Sequence, residues 1–246
     1  MLQSVITALN VFEIVALHQP IGVTQVARRL DTGKSTVQRC LVTLEAAGWL
    51  RADTNSPTRW MITAKSLTLG RRVANSGGLR EFAFPVMEQL RDETRETIHL
   101  VVPDGRDAVI IERVESPQST RTFFPLGGKG PLHATATGKA ILALYSEERL
   151  ATYLSEDLEA LTARTIRNAP ALRQELSRVR KRGFATAVDE REEGASAIAA
   201  AIVDRAGVII GALSISCPTS RFTKSERNAY APLIVQSAKA IAERLN

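Results

Sequence analysis

The chain has 246 residues, 44% of them hydrophobic and 24% charged, an ordinary globular composition able to bury a core. Cys40 and Cys217 stand far apart in no metal-ligand spacing, which excludes a disulfide framework and a zinc site, while the lack of a signal-peptide pattern or a run near the roughly 18 apolar residues of a membrane span implies a soluble, cytoplasmic protein. The net charge of +6 is unevenly placed: Met1 to Arg72 holds 9 Lys or Arg against 4 Asp or Glu, and the remainder holds 23 against 22.

A basic excess confined to one segment is the electrostatic footprint of a nucleic-acid-binding module, although a solvated basic surface has the same composition. The order of elements separates the two readings. Val5, Leu9, Phe12 and Ala16 share one face of a first helix that ends before Pro20. Val23, Val26, Ala27 and Leu30 form the stripe of a short second helix, with Gly22 at its cap and Gln25 three residues on. After a break at Asp31-Thr32-Gly33, Val37, Leu41 and Leu44 mark a third helix that stops at Gly48. Trp49-Leu50-Arg51 and Arg59-Trp60-Met61-Ile62 then read as two strands around the turn-rich Asp53-Thr54-Asn55-Ser56-Pro57. This is a winged helix-turn-helix, residues 1–63. The polar face of its third helix carries Lys34, Ser35, Thr36, Gln38 and Arg39 at the amino-terminal end. Such proteins aim that end at base edges, and Gln and Arg are built for bidentate base contacts while Ser35 and Thr36 suit phosphate oxygens.

Residues 64–78 read as a helical linker carrying Leu67, Leu69 and Val73, interrupted at Ser76-Gly77-Gly78. A helix follows with Phe82, Val86 and Leu90 four apart and Pro85 bending it. Ile98, Leu100 and Val102 alternate with His99 and Val101 before Pro103-Asp104-Gly105 turns the chain into a return strand from Ala108 to Val114. Asn168 caps a helix bearing Leu172, Leu176 and Val179, and Gly183 ends it before a strand from Phe184 to Val188. Strands from Ala197 to Val203 and from Val208 to Ser216 flank Asp204-Arg205-Ala206-Gly207. Thr223-Lys224-Ser225-Glu226 is a capping box opening a last helix with Leu233, Ile234 and Ile241 inward. Antiparallel hairpins with intervening helices predict an α+β second domain over residues 79–246 rather than a doubly wound parallel fold.

Catalytic motifs are missing from the sequence. The stretch LGGKGPLHATATGKA resembles a phosphate loop, but that motif needs Gly at His133 and Ser or Thr at Ala140. Gly128 and Gly130 lack the third glycine of a dinucleotide fingerprint. His18, His99 and His133 are scattered, with neither HExxH nor GxSxG. The acidic run Asp189, Glu190, Glu192 and Glu193 reads first as a solvated loop. The expectation is therefore no enzyme, no metal and no cofactor.

The stretches VTQVARRLDTGKSTVQRCLVTLEAAGWL, VESPQSTR, PLHATATGKAILA, RTI, EL..VRKRGFA and GALSIS.P.SRF follow one another over nearly the whole chain. In them the chain resembles the isocitrate lyase regulator (IclR) family of bacterial transcription factors. The resemblance implies a dimeric operator-binding domain, a GAF/PAS-like effector domain, and dimers that pair into tetramers. It puts Lys34, Ser35, Thr36, Gln38 and Arg39 on the DNA-reading helix and Arg59 on the wing. It bounds an effector cavity with Leu126, Gly127, Ala134, Thr135 and Ala136, with Asp189 and Ala197, and with Ser214 and Ser216. Two observations on the residues run the same way. Ser214 and Ser216 point to one face of a strand, and Thr135 lies where a helix would begin and offer free N–H groups to an anion. Leu126, Ile198 and Leu213 would supply the apolar surroundings of a small organic acid, aromatic acids included. Relatives often have Cys at Ala197 and Pro at Ala201, so the ligand is not transferable from them. The alternative function is a DNA-binding protein whose second domain only oligomerises.

Overall fold

Helix α1 (Gln3–His18) buries Val11 and Val15 and leaves Val5 and Leu9 about half exposed, at 52% and 54%. The inward stripe is thus rotated from the expected one. The helix is apolar on most of its circumference, so spacing alone admits two stripes, and only packing against the next helices selects between them. The computed structural model describes residues 1–53, 57–74 and 78–245, and the chain divides into two units, Met1–Val73 and Ala74–Asn246.

In the first unit, α2 (Val23–Arg29) buries Val26 and Ala27, and the Gly22 N–H donates to the Gln25 side-chain oxygen at 3.2 Å. Helix α3 (Lys34–Ala46) buries Val37 and Leu41. It ends where Gly48 takes φ +76°, a left-handed conformation that a side chain would strain. Strands β1 (Leu50–Asp53) and β2 (Arg59–Ile62) pair antiparallel, Leu50 opposite Ile62 and Ala52 opposite Trp60. Residues 54–56 of the expected turn lie outside the described residues. Trp60, 3% exposed, also exchanges backbone hydrogen bonds with Ile21, which ties the wing to the start of the helix-turn-helix. Trp49 precedes the strand instead of opening it. Its ring meets Phe12 edge-on at 5.6 Å and lies 4.7 Å from the Lys65 ammonium. Helix α4 (Lys65–Ala74) occupies most of the expected linker, and the Ser76-Gly77 interruption falls outside the described residues.

The second unit opens with α5 (Leu79–Thr94), whose buried stripe is Leu79, Ala83, Val86, Met87 and Leu90. Phe82, expected on that stripe, is 39% exposed. Four-residue steps drift about 40° each around a helix of 3.6 residues per turn, which puts Phe82 at the edge of the buried stripe. A six-stranded sheet follows in the order β5-β4-β3-β8-β7-β6, antiparallel at every pairing. Its strands are β3 (Thr97–Asp104), β4 (Asp107–Val114), β5 (Lys129–Pro131), β6 (Ala185–Val188), β7 (Ala195–Val203) and β8 (Ile209–Pro218). The three-residue β5 is too short to leave a periodic signal, and the sequence reading missed it.

Side chains alternate between the two faces of the sheet. On one face Ile98, Leu100, Ile198, Leu213 and Ile215 pack with α5 and α9 (Lys224–Arg244). On the other, Val101, Ala199 and Ala212 pack with α6 (Ala136–Leu142), α7 (Glu147–Leu154) and α8 (Ala169–Arg182). A β-bulge between Leu100 and Val101, opposite Glu112 and Ile110, flips the parity of β4. Val114 therefore joins the first core, whereas Ile110 and Ala108 turn to the second. The architecture is a mixed α+β one, a helix-turn-helix domain followed by a curled antiparallel sheet with helices.

Candidate functional site

On α3, the burial of Val37 and Leu41 turns the polar face outward: Lys34, Ser35, Gln38 and Arg39 are exposed and Thr36 is half-buried. Lys34 with Gln38, and Ser35 with Arg39, are four residues apart and so stand one turn above each other on one surface strip. No ion pair ties Lys34 or Arg39 to a carboxylate among the described residues. Arg59 is exposed at the turn end of the wing hairpin, opposite Asp53, and its guanidinium donates to the Pro20 carbonyl at 3.1 Å. Exposed Arg28 and Arg29 in the last turn of α2 and Arg51 on β1 extend the basic surface. The sequence reading did not single out these three, although their charges were already in its count.

The second unit holds a cavity of about 560 Å³, counting the part open to solvent. Its floor is the α6-facing side of the sheet. Register places Ser214 between His99 and Ala199, and Ser216 between Thr97 and Ala197. The two hydroxyls differ. Thr122 Oγ1 donates to Ser216 Oγ at 3.0 Å, whereas Ser214 Oγ has no hydrogen-bond partner among the described residues. His99 is 3% exposed, and its Nε2 also lacks a partner. Burial, then the positive charges of Arg113 and Arg191, push its pKa down to about 3, so the ring is neutral at physiological pH. Val101, Ala108, Ile110 and Phe124 give the cavity its apolar wall.

Arg191, carried by the connection between β6 and β7, closes one side. Its guanidinium lies 4.0 Å from the centre of the Phe124 ring, and Nη2 donates to the Lys129 carbonyl at 2.8 Å. Burial lowers its pKa from the usual arginine value, while Glu192 and Asp107 pull it the other way. No ion pair to Arg191 occurs among the described residues.

Beside it is the start of α6: a Cβ on Gly130 would lie 2.9 Å from Thr135 and 3.2 Å from Arg191. Thr135 caps α6, its Oγ1 accepting the Gly138 N–H at 3.0 Å, and Ala134, Thr135, Ala136 and Thr137 face the cavity. A Cβ at Gly138 would fall 2.2 Å from the Leu132 carbonyl oxygen, so only glycine lets α6 seat against the turn of residues 132–134. Lys139 is 1% exposed, with Nζ 2.6 and 2.7 Å from the Glu190 carboxylate oxygens. The glycine and lysine that mimic a phosphate loop therefore serve packing and a buried ion pair.

Of the expected effector residues, Ala134, Thr135, Ala136, Ala197, Ser214 and Ser216 line this one cavity. Leu126, Gly127 and Asp189 do not. Leu126 is 55% exposed, and the Gly127 N–H donates to the Ile110 carbonyl at 2.8 Å in a turn with φ +76°. Asp189 Oδ1 accepts from the Gly194 N–H at 2.9 Å and from the Thr219 hydroxyl at 2.5 Å, so it shapes the β6–β7 connection. With Glu190 on Lys139, the head of the acidic run is structural, not a solvated loop. Ile198 and Leu213, expected as apolar walls, face α5 and α9 instead. His99, Phe124 and Arg191 were missed. Period-2 alternation puts His99 on the side opposite Ile98 and Leu100, and a single cation inside an acidic run was the only signal for Arg191.

A winged helix-turn-helix followed by an α+β domain with an apolar-walled cavity is the build of a DNA-binding transcription regulator. The family model for the IclR helix-turn-helix domain matches residues 4–54, and that for the bacterial transcriptional regulator IclR C-terminal domain matches residues 71–243. The chain belongs to the IclR family of bacterial transcriptional regulators. It is 32% identical over 243 residues to the HTH-type transcriptional regulator KdgR of Dickeya chrysanthemi, covering 98% of this chain and 79% of that one. The crystal structure of the Thermotoga maritima IclR superposes with a TM-score of 0.81 at 28% identity, covering 100% of this chain and 99% of the other. An IclR homologue from Microbacterium hydrocarbonoxydans, solved with 4-hydroxybenzoate, shares the fold with a TM-score of 0.83 at 23% identity, over 98% of each chain. The relatives are regulators, not enzymes, and among the described residues no helix is long and apolar enough to cross a membrane.

Proposed function

We propose that this regulator binds operator DNA as a homodimer in the cytoplasm and that a small organic acid in the cavity of the second unit changes its operator affinity. The observation that carries this reading is the convergence of the unpartnered His99 and Ser214 with Arg191, which has no ion pair among the described residues, on a cavity with apolar walls, because small-molecule sites combine an apolar lining with a few convergent polar groups. Lys34, Ser35, Thr36, Gln38, Arg39 and Arg59 contact the operator, and Ala134, Thr135, Ala136, Ala197, Ser214 and Ser216 contact the effector. Dimerisation is supported by exposed apolar side chains on the DNA-binding unit, Leu2, Val5 and Leu9 at α1 and Leu67 and Leu69 on α4. One recognition helix reads too few bases for useful specificity, so the expected footprint is a pseudo-palindrome, with pairs of dimers joining into tetramers. Control of operator affinity requires the ligand to bind one DNA-affinity state better than the other, and 1–3 kcal/mol of coupling changes affinity by about 5- to 150-fold. Footprinting on genomic fragments, repeated with a panel of organic acids, tests the whole reading. An asymmetric monomer footprint defeats the dimer, and operator affinity unmoved by every acid that raises the melting temperature defeats effector control.

A further inference from the structure

The cavity has two polar ends. At one end stands Arg191, a half-buried cation stacked on Phe124 with no carboxylate partner among the described residues. At the other, His99 and Ser214 are neighbours across the β3–β8 ladder, each with an unused hydrogen-bonding atom. The His99 ring packs on the same Phe124 ring, 5.9 Å between centres, so both polar ends border one aromatic wall. Leaving a buried nitrogen unpaired is costly, and a half-buried cation that Glu192 and Asp107 act on without forming an ion pair gains further from a carboxylate placed against it.

We propose that Arg191 and the His99–Ser214 pair are the specificity determinants of this cavity, Arg191 receiving a carboxylate and the pair receiving a hydroxyl of the same ligand, so that the preferred effector is a hydroxy acid. This rests on the reading that the cavity takes an organic acid, and it deepens that reading with two side chains outside the resemblance-derived site. The choice of a hydroxyl follows from the partners. Ser214 donates or accepts, and a neutral imidazole offers one donor and one acceptor nitrogen. A hydroxyl does both, so it satisfies the pair in either tautomer, whereas a carbonyl only accepts and an apolar end leaves both atoms bare. The pair also discriminates: a site built to hydrogen-bond an OH rejects the analogue lacking it more strongly than a greasy site rejects an added one. Water on His99 Nε2 is the competing occupant, and it predicts no preference for the hydroxyl.

The test uses calorimetry on the full chain with two probe sets, 4-hydroxybenzoate with benzoate and 4-hydroxybenzamide, and 4-hydroxybutyrate with butyrate and 4-hydroxybutyramide. In one frame at least, the hydroxy acid should bind tightest. Arg191→Gln should weaken the acid roughly 10- to 100-fold while leaving the amide unchanged, and Arg191→Lys should restore part of the preference. His99→Phe, which keeps the packing on Phe124, should remove roughly 3- to 10-fold of the preference for the hydroxylated acid over its deoxy analogue. These are ratios measured within one variant, so general destabilisation does not imitate them. Acids that bind while Arg191→Gln keeps its preference for acid over amide overturn the role of Arg191. A hydroxyl preference that survives His99→Phe overturns the role of the pair, and in both cases the organic-acid reading stands. Binding of none of the six probes overturns that reading and the inference together.

Discussion

Lys139 Nζ lies 2.6 and 2.7 Å from the two carboxylate oxygens of Glu190, a buried ion pair that joins α6 to the residue next to Arg191. One electrostatic link thus ties together two segments that line the cavity. Burial raises the Glu190 pKa even though Lys139 pulls the other way, so this carboxylate depends on its partner to stay charged.

Removing the cation therefore has a pH-dependent cost. Lys139→Met leaves an uncompensated buried carboxylate and should lower stability by about 3–5 kcal/mol near pH 8. Without Lys139 the folded-state pKa of Glu190 rises further above its unfolded value, so the folded variant binds more protons than the unfolded chain. Its deficit relative to the parent should shrink toward pH 5 and grow as pH rises. Urea denaturation at both pH values measures this, and a deficit equal at the two would show that the pair is not ionised.

The serine pair is expected to divide its work. Ser214→Ala removes a hydroxyl with no internal partner and should abolish much of the ligand-induced thermal shift while changing the ligand-free stability by under about 0.5 kcal/mol. Ser216→Ala orphans the buried Thr122 hydroxyl and should cost about 1 kcal/mol without ligand. Melting curves of the two single variants with and without ligand separate the roles. Equal stability losses would show that Ser214 is also engaged within the fold.

Much of this arrangement was legible in the sequence because local chemistry announced it. Gly48, Gln25, Asn168, Gly183 and Thr223 stand at helix ends in the structure, and the antiparallel α+β second domain followed from hairpin signals. Thr135 and Ser214 were reached through family resemblance and strand parity. What stayed hidden depends on long-range packing. Arg191 meets Phe124 across 67 residues of sequence, a contact no local pattern encodes. The bulge opposite Leu100 reassigns Ile110 to the cavity side, and alternation counted along β4 alone places it on the wrong face. Leu126 was placed by the family resemblance; in the structure it is 55% exposed and outside the cavity lining, and exposed single leucines are common.

Acid stability should report on His99. Its folded pKa of about 3 lies below the ordinary value of 6.5, so between those limits the unfolded chain takes up a proton that the folded one refuses. Stability should therefore fall as pH drops from 6.5 toward 3, by up to about 1.4 kcal/mol per unit from this one group. His99→Phe removes that slope. The downward shift of His133, caused chiefly by its own burial, is common to both proteins and cancels in the difference. Chemical denaturation of parent and variant from pH 7.5 to 4 measures the difference, and parallel profiles would mean that the buried ring finds a counter-charge on protonation.

The recognition helix carries the last prediction, in which two neighbouring cations should fail in different ways. Arg39 projects one turn above Ser35 on the exposed face of α3, where a planar guanidinium can fork onto guanine. Arg39→Ala should then weaken operator binding by about 1–3 kcal/mol and relax sequence preference at one position of each half-site. Lys34, the first residue of the helix, is a point charge suited to the backbone. Its replacement by Ala should weaken operator and random DNA alike, and should lower the slope of log affinity against log salt by about one unit per bound chain. Fluorescence anisotropy over a salt series, with the operator and a scrambled duplex, distinguishes the two signatures. If Arg39→Ala also weakened both duplexes equally, it would be a phosphate contact, and base reading would pass to Gln38, which stands above Lys34 on the same strip.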